Sequence, residues 1–78
     1  MNIPTDISQI AAIIQTDWKS IPEDAATHLK KMQHLHSIYD RYGNLSAKFT
    51  IRNFLNHAKY WQGEIAREVK KKLNEMIK

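Results

Sequence analysis

Apolar residues recur every three or four positions between residues 47 and 76. Such spacing predicts helix, because about 3.6 residues per turn bring these positions onto one face. An unbroken helix over 47–77 would be about 46 Å long, which exceeds the diameter expected of a compact domain of this size. We therefore predict helices at 47–58 and 62–77, with one kinked helix as the alternative. The apolar positions are Ala47, Ile51, Phe54, Leu55, Ala58, Trp61, Ile65, Val69, Leu73 and Met76.

The break between these two helices is expected between Asn56 and Gly63. A glycine inside a helix costs about 1 kcal/mol relative to alanine, so Gly63 is the weakest helical position in this stretch. At the other end, Ser46 can cap the first free amides of the helix that follows it.

The beginning of the chain predicts a first helix over about 6–19. Thr5 or Asp6 offers a short side-chain oxygen that can accept from the first helical amides. The apolar positions that share a helical face here are Ile7, Ile10, Ala11, Ile14 and Trp18.

A second helix is predicted over 21–42. Ser20 and Glu23 have the spacing of a capping box, with Pro22 in the first turn. Gly43 can adopt the left-handed conformation that ends many helices. The apolar positions are Ala25, Leu29, Met32, Leu35, Ile38, Tyr39 and Tyr42.

Together these segments predict an all-α fold, a small bundle of three to four helices in a single domain, 1–78. The chain has 78 residues, a formal net charge of +4 and no cysteine. Disulfides are therefore excluded, and a reducing, cytoplasmic location is expected. No run approaches the roughly 18 apolar residues that span a bilayer, so we expect no membrane association.

Charge is unevenly distributed along the chain. The first 24 residues carry four acidic side chains and one lysine, whereas residues 25–78 carry eleven basic and four acidic side chains. A basic body of this kind favours an anionic partner through long-range attraction.

Neither catalysis nor metal binding is indicated by the residue pattern. Helical chelation of a metal needs ligands three or four positions apart, and no two histidines have that spacing. With no cysteine and no glycine-rich phosphate loop, no nucleophile, base and orienting group are marked as a set. We expect no catalytic residues, no metal and no cofactor. The four histidines are His28, His34, His36 and His57.

The candidate binding surface lies on the third predicted helix and its continuation. On a helical wheel, Lys48, Arg52 and Lys59 fall within about 40° of one another, flanked by aromatic and amide side chains outside the apolar arc. Basic groups can neutralise phosphates, and aromatic rings can stack on bases or anchor a protein interface. The predicted partner-binding residues are Lys48, Phe49, Arg52, Asn53, Asn56, Lys59 and Tyr60.

These observations predict a small non-catalytic regulatory or inhibitory module. It would act on a protein or a protein–nucleic-acid complex through the basic and aromatic helix face. One alternative is direct binding of nucleic acid by a helical reader. This reader would be non-standard, because the spacing around Gly43 and Gly63 matches the helix-turn-helix motif poorly. Another is a homodimeric structural domain without separate activity. If Phe49 and Tyr60 pack on neighbouring helices, the surface is ordinary core and its rim.

Overall fold

The computed structural model describes residues 2–78. In that range the chain forms four helices and a two-stranded antiparallel sheet, and the prediction of a small, mainly helical bundle is confirmed. No helix among these residues is both long enough and apolar enough to cross a membrane. The elements are α1 (Ile7–Asp17), α2 (Glu23–Met32), β1 (Arg41–Tyr42), β2 (Leu45–Ser46), α3 (Ala47–Asn56) and α4 (Glu64–Met76).

The core lies where α2 packs on α3 and α1 packs on α2 and α4. The helical stripe predicted between residues 47 and 76 is confirmed, because all its members are buried or packed against the core at its edge. Burial of such side chains stabilises by about 1.5–3 kcal/mol each. The largest fully buried side chains are Phe54, Ile7, Ile10, Ile14, Leu29, Met32, Leu35, Ile51, Leu73 and Val69, with Thr50 among them.

The predicted break after α3 is confirmed, and the last two helices are separate. α3 ends at Asn56, α4 begins at Glu64, and Gly63 adopts φ 117° and ψ 178° between them. The longest dimension of the described chain is 31 Å. An unbroken helix of about 46 Å would have extended beyond the core, and the break folds α4 back onto α1 and α3 instead.

The prediction that the second helix extends over 21–42 is wrong, because α2 ends at Met32. The Asp40 carboxylate accepts the backbone N–H groups of His36 (2.8 Å) and Ser37 (3.1 Å). The Asp40 amide in turn donates to the Ser37 carbonyl at 3.0 Å. Asp and Ser side chains that bond nearby backbone in this way offer the chain an alternative to helix.

Gly43 does not end a helix but lies in the turn of a hairpin. Tyr42 pairs with Leu45 across a two-residue connection, and Gly43 has φ +61°. A left-handed glycine at the first central position matches the right-handed twist of the flanking strands. Tyr39, which the helical pattern assigned to the core, is 89% exposed because the chain is no longer helical there.

The helix starts follow simple capping chemistry, with one correction. Asp6 caps α1 by accepting the Ser8 amide at 2.9 Å, and Ser46 caps α3 as predicted. The capping box predicted at Ser20 is wrong, because Pro22 occupies the N-cap position of α2 without a side-chain bond. A proline disfavours helical backbone at the residue before it, so Ile21 does not begin the helix.

Candidate functional site

The solvent side of α3 carries five of the seven predicted binding residues. The helix buries Ala47, Thr50, Ile51 and Phe54 on one side. The opposite side presents neighbours three and four positions apart, which form a continuous strip. We call this strip the α3 face; its residues are Lys48, Phe49, Arg52, Asn53 and Asn56.

Phe49 lies in the first turn of α3 and is 50% exposed. Its amide donates to the Ser46 hydroxyl at 3.1 Å, which fixes the start of the helix. The Asn53 side-chain amide donates to the Phe49 carbonyl at 2.8 Å, so Asn53 already uses one of its donors on its own helix. The half-exposed ring of Phe49 is therefore held on a well-capped helical turn.

Lys59 and Tyr60 follow the helix rather than belonging to it. The spacing that predicted them on the same helical face does not apply beyond Asn56, where α3 ends. The Ala58 amide donates to the Leu55 carbonyl at 3.2 Å. Because Ala58 points inward and is fully buried, Lys59 and Tyr60 are left outside, with Tyr60 88% exposed.

Trp61 anchors this turn to the core. Its indole N–H donates to the Asp17 carboxylate at 2.9 Å, and its carbonyl accepts the Lys70 ammonium at 2.6 Å. Its ring stacks on Trp18, with centroids 5.6 Å apart and an interplanar angle of 11°. Burial lowers the pKa of Lys70, which lies with its Nζ 6.0 Å from the Trp61 ring centroid. These contacts hold the residue beside Tyr60 firmly in place.

A surface depression of about 200 Å³ joins the turn to the end of the α3 face. It brings together three of the predicted binding residues, Asn56, Lys59 and Tyr60, although helical spacing alone does not explain their proximity. It also includes residues that the sequence did not single out. The remaining lining residues are Pro22, Asp24 and His57.

The charged side chains of this surface are all basic along α3, whereas the depression has both basic and acidic side chains. No acidic residue occurs between Arg41 and Gly63. In residues 2–78, no carboxylate lies within 4 Å of the charged groups of Lys48, Arg52 or Lys59. Unpaired surface cations of this kind are available to a partner and lose no intramolecular ion pair on binding.

One cluster elsewhere contains the residue types of a serine–histidine–aspartate set. Ser8 Oγ donates to the Asp6 carboxylate at 2.6 Å, and both approach the same nitrogen, Nδ1 of His36, at 3.4 and 3.2 Å. A catalytic set needs the hydroxyl and the carboxylate on opposite ring nitrogens. Here the hydrogen bond from Ser8, with a smaller contribution from His36, lowers the pKa of Asp6. The cluster serves as the cap of α1.

No group of three or more His, Asp or Glu side chains is placed to hold a metal ion within residues 2–78. A concavity with mainly apolar walls lies between α1 and α4 and has a volume of about 390 Å³. None of the seven predicted partner-binding residues lines this concavity. Its lining residues are Ala12, Ile13, Thr16, Asp17, Lys19 and Ile65.

Sequence reasoning missed Asp24 and the contact between His28 and His57. The two histidine rings stack with centroids 5.3 Å apart at an angle of 13°. Both features arise where α2 meets the end of α3, so they depend on tertiary packing between residues far apart in sequence. A helix prediction for each segment separately carries no signal for such a contact.

No family model matches this chain, and neither a curated protein nor a solved structure matches it.

Proposed function

We propose that this protein is a small non-catalytic regulatory or inhibitory module that binds another protein, alone or in a protein–nucleic-acid complex. The binding surface is the α3 face together with Lys59 and Tyr60. The observation that carries the proposal is the exposure of two rings, Phe49 by 50% and Tyr60 by 88%, among unpaired basic groups. Aromatic and arginine side chains contribute most of the energy at protein interfaces, so Phe49, Arg52 and Tyr60 are the expected anchors.

The mixed charge at the depression favours a protein over a nucleic acid as the partner. Asp24 lines the same depression as Lys59 and Tyr60, and Glu23 is exposed beside it in the first turn of α2. A phosphate backbone that followed the basic groups would meet these carboxylates. A protein surface can place acidic groups against Arg52 and a basic group against Asp24, which gives both affinity and orientation.

Direct nucleic-acid binding is the second candidate, favoured by the absence of carboxylates from 41–63. Lys48, Arg52 and Lys59 would neutralise phosphates, and Phe49 or Tyr60 would stack on bases. This candidate predicts that log affinity for duplex or single-stranded DNA or RNA falls linearly with log salt. Arg52→Ala and Lys59→Ala would each reduce the slope by about 1.

Affinity capture with matched baits tests the proposal. The baits are the wild-type protein, Phe49→Ala, Tyr60→Ala and the control Tyr39→Ala, which removes an equally exposed ring from a different segment. We expect the wild type and Tyr39→Ala to retain one protein that free wild-type protein displaces, and both other variants to lose it. Equal retention by all four baits would contradict the proposal.

Two further measurements separate the alternatives. A salt-dependent affinity for naked nucleic acid, weakened by Arg52→Ala, would replace the protein partner with the second candidate. Sedimentation equilibrium tests the homodimer alternative, in which Tyr60→Ala converts a dimer to a monomer.

A cytoplasmic location belongs to the same proposal and is supported by the cysteine-free composition.

A further inference from the structure

The stacked histidines lie between α2 and the end of α3. His28 belongs to α2 and is partly buried, whereas His57 is exposed and forms the C-cap of α3. Their rings are 5.3 Å apart and nearly parallel. Parallel packing of two neutral imidazoles is favourable, whereas two imidazolium rings at this separation repel each other.

We propose that the His28–His57 stack is a pH-sensitive clasp at the beginning of the turn after α3, whose other end Trp61 anchors. The clasp holds this beginning in place near neutral pH and releases it on acidification. The inference rests on the proposed function in one respect: the turn carries Lys59 and Tyr60, which belong to the proposed binding surface. His57 lines the same depression as these two residues. Protonation of the stack therefore changes the shape of the binding surface at its mixed-charge end.

Burial of the His28 ring, modified by the charged groups around the stack, determines the direction of the response. Burial holds the pKa of His28 below the usual histidine value of 6.5, with smaller contributions from Lys31 and His57. Asp24, one turn earlier on α2, acts in the opposite direction. On the α3 side, the ionisable neighbours in the depression are Lys59 and Tyr60. Burial, together with the positive charge of Lys31, outweighs the opposing effect of the Asp24 carboxylate and favours the neutral form of His28.

The sign of the pH effect follows from this lowered pKa. When the stack opens, His28 regains the ordinary pKa of 6.5 and binds a proton more readily than in the closed state. The closed state is therefore fully favoured above pH 6.5. Acidification through that value progressively favours the open state.

Nuclear magnetic resonance titration of the full chain tests the clasp without any partner. We expect the backbone amides of Lys59 and Tyr60 to shift with the same midpoint as the His28 ring. In His57→Gln, the pKa of His28 should rise toward 6.5 because a like charge is removed, and in Asp24→Asn it should fall further. The ring of His34 contacts Tyr42 and not the stack. The control His34→Gln should therefore leave the His28 titration unchanged.

The proposal is overturned if the His28 midpoint is the same in wild type and His57→Gln, or if the amides of residues 59 and 60 do not respond. A second arm measures capture of the partner between about pH 8 and pH 5, the range in which histidine changes charge. Retention should decrease on acidification in the wild type and stay constant in His28→Gln. If no partner is captured at any pH but the His28 titration and the amide shifts are as expected, the proposed binding surface is wrong and the clasp stands.

Discussion

Two adjacent aromatic residues, Tyr60 and Trp61, belong to regions with opposite roles. Trp61 is 2% exposed and contacts Trp18, whose ring also meets Phe54 edge-on at 6.3 Å. Tyr60 is 88% exposed, and Phe49 on α3 is 50% exposed. The backbone turn after α3, more than residue type, decides which ring stabilises the fold and which is available to a partner.

This difference makes stability and binding separable in this molecule. A domain of this size has a free energy of unfolding of about 4–12 kcal/mol. The buried aromatic cluster (Trp18, Phe54, Trp61) contributes a large part of that total, whereas the α3 face contributes less because its side chains remain mostly in water. Variants in the two regions should therefore produce distinct results in unfolding and binding experiments.

The largest effect is expected for Trp61→Ala. Removing this ring leaves a cavity beside Trp18 and leaves the Asp17 carboxylate without its indole donor. Urea unfolding should show a loss of about 3–5 kcal/mol. Trp61→Phe, which keeps an aromatic ring, should lose less. A loss below about 1 kcal/mol for Trp61→Ala would show that the cluster does not anchor the turn.

Gly63→Ala should have the next largest effect. Gly63 has φ 117° and ψ 178°, a conformation that is essentially restricted to glycine and costs other residues about 1–3 kcal/mol. An added Cβ would meet nothing within 4 Å, so the loss would come from backbone strain alone. Urea unfolding should show that loss, and Gln62→Ala, an exposed neighbour, should stay within about 0.5 kcal/mol of wild type.

Thr50→Val should stabilise the protein. Thr50 is 1% exposed on the buried side of α3, and its hydroxyl has no hydrogen-bond partner. Valine keeps the branched shape and removes the unsatisfied group, which should raise the free energy of unfolding by about 1 kcal/mol. The control Thr27→Val removes a hydroxyl that donates to the Glu23 carbonyl and should not stabilise. Destabilisation by Thr50→Val would mean that this hydroxyl contributes to packing.

The smallest effects on stability are expected for Phe49→Ala and Tyr60→Ala. Half of the Phe49 side chain is buried, worth about 1 kcal/mol, and the higher helix propensity of alanine offsets about half of that. Tyr60→Ala should stay within about 0.5 kcal/mol of wild type. Thermal unfolding of both variants should therefore resemble wild type even though their binding is lost. A large fall in melting temperature would assign these rings to the core.

The helices at both ends of the chain could be predicted because their apolar residues keep a 3.6-residue period through to the core. The C-terminal half of the second predicted helix could not. Its apolar residues continue the helical period, but the Asp40 carboxylate binds the amides of His36 and Ser37. Periodicity reports which residues prefer burial, and it does not register a side chain that competes for the backbone.

The candidate site was predictable only in part, for a similar reason. Residues of the α3 face follow from helical geometry, since they lie opposite the buried side of α3. Tyr60 reaches the surface through the turn anchored by Trp61, and Asp24 reaches it through the packing of α2 on α3. Contacts between separate elements depend on the tertiary fold, so a pattern within one helix does not reveal them.

Site-specific photo-cross-linking shows whether Tyr60 contacts a protein partner. A benzophenone amino acid replaces Tyr60 in one variant and Tyr39 in the other, because the two rings are 88% and 89% exposed and differ in location. We expect a covalent adduct with one protein from position 60, abolished by Phe49→Ala, and none from position 39. Equal adducts from both positions, or an adduct with nucleic acid alone, would contradict the proposal.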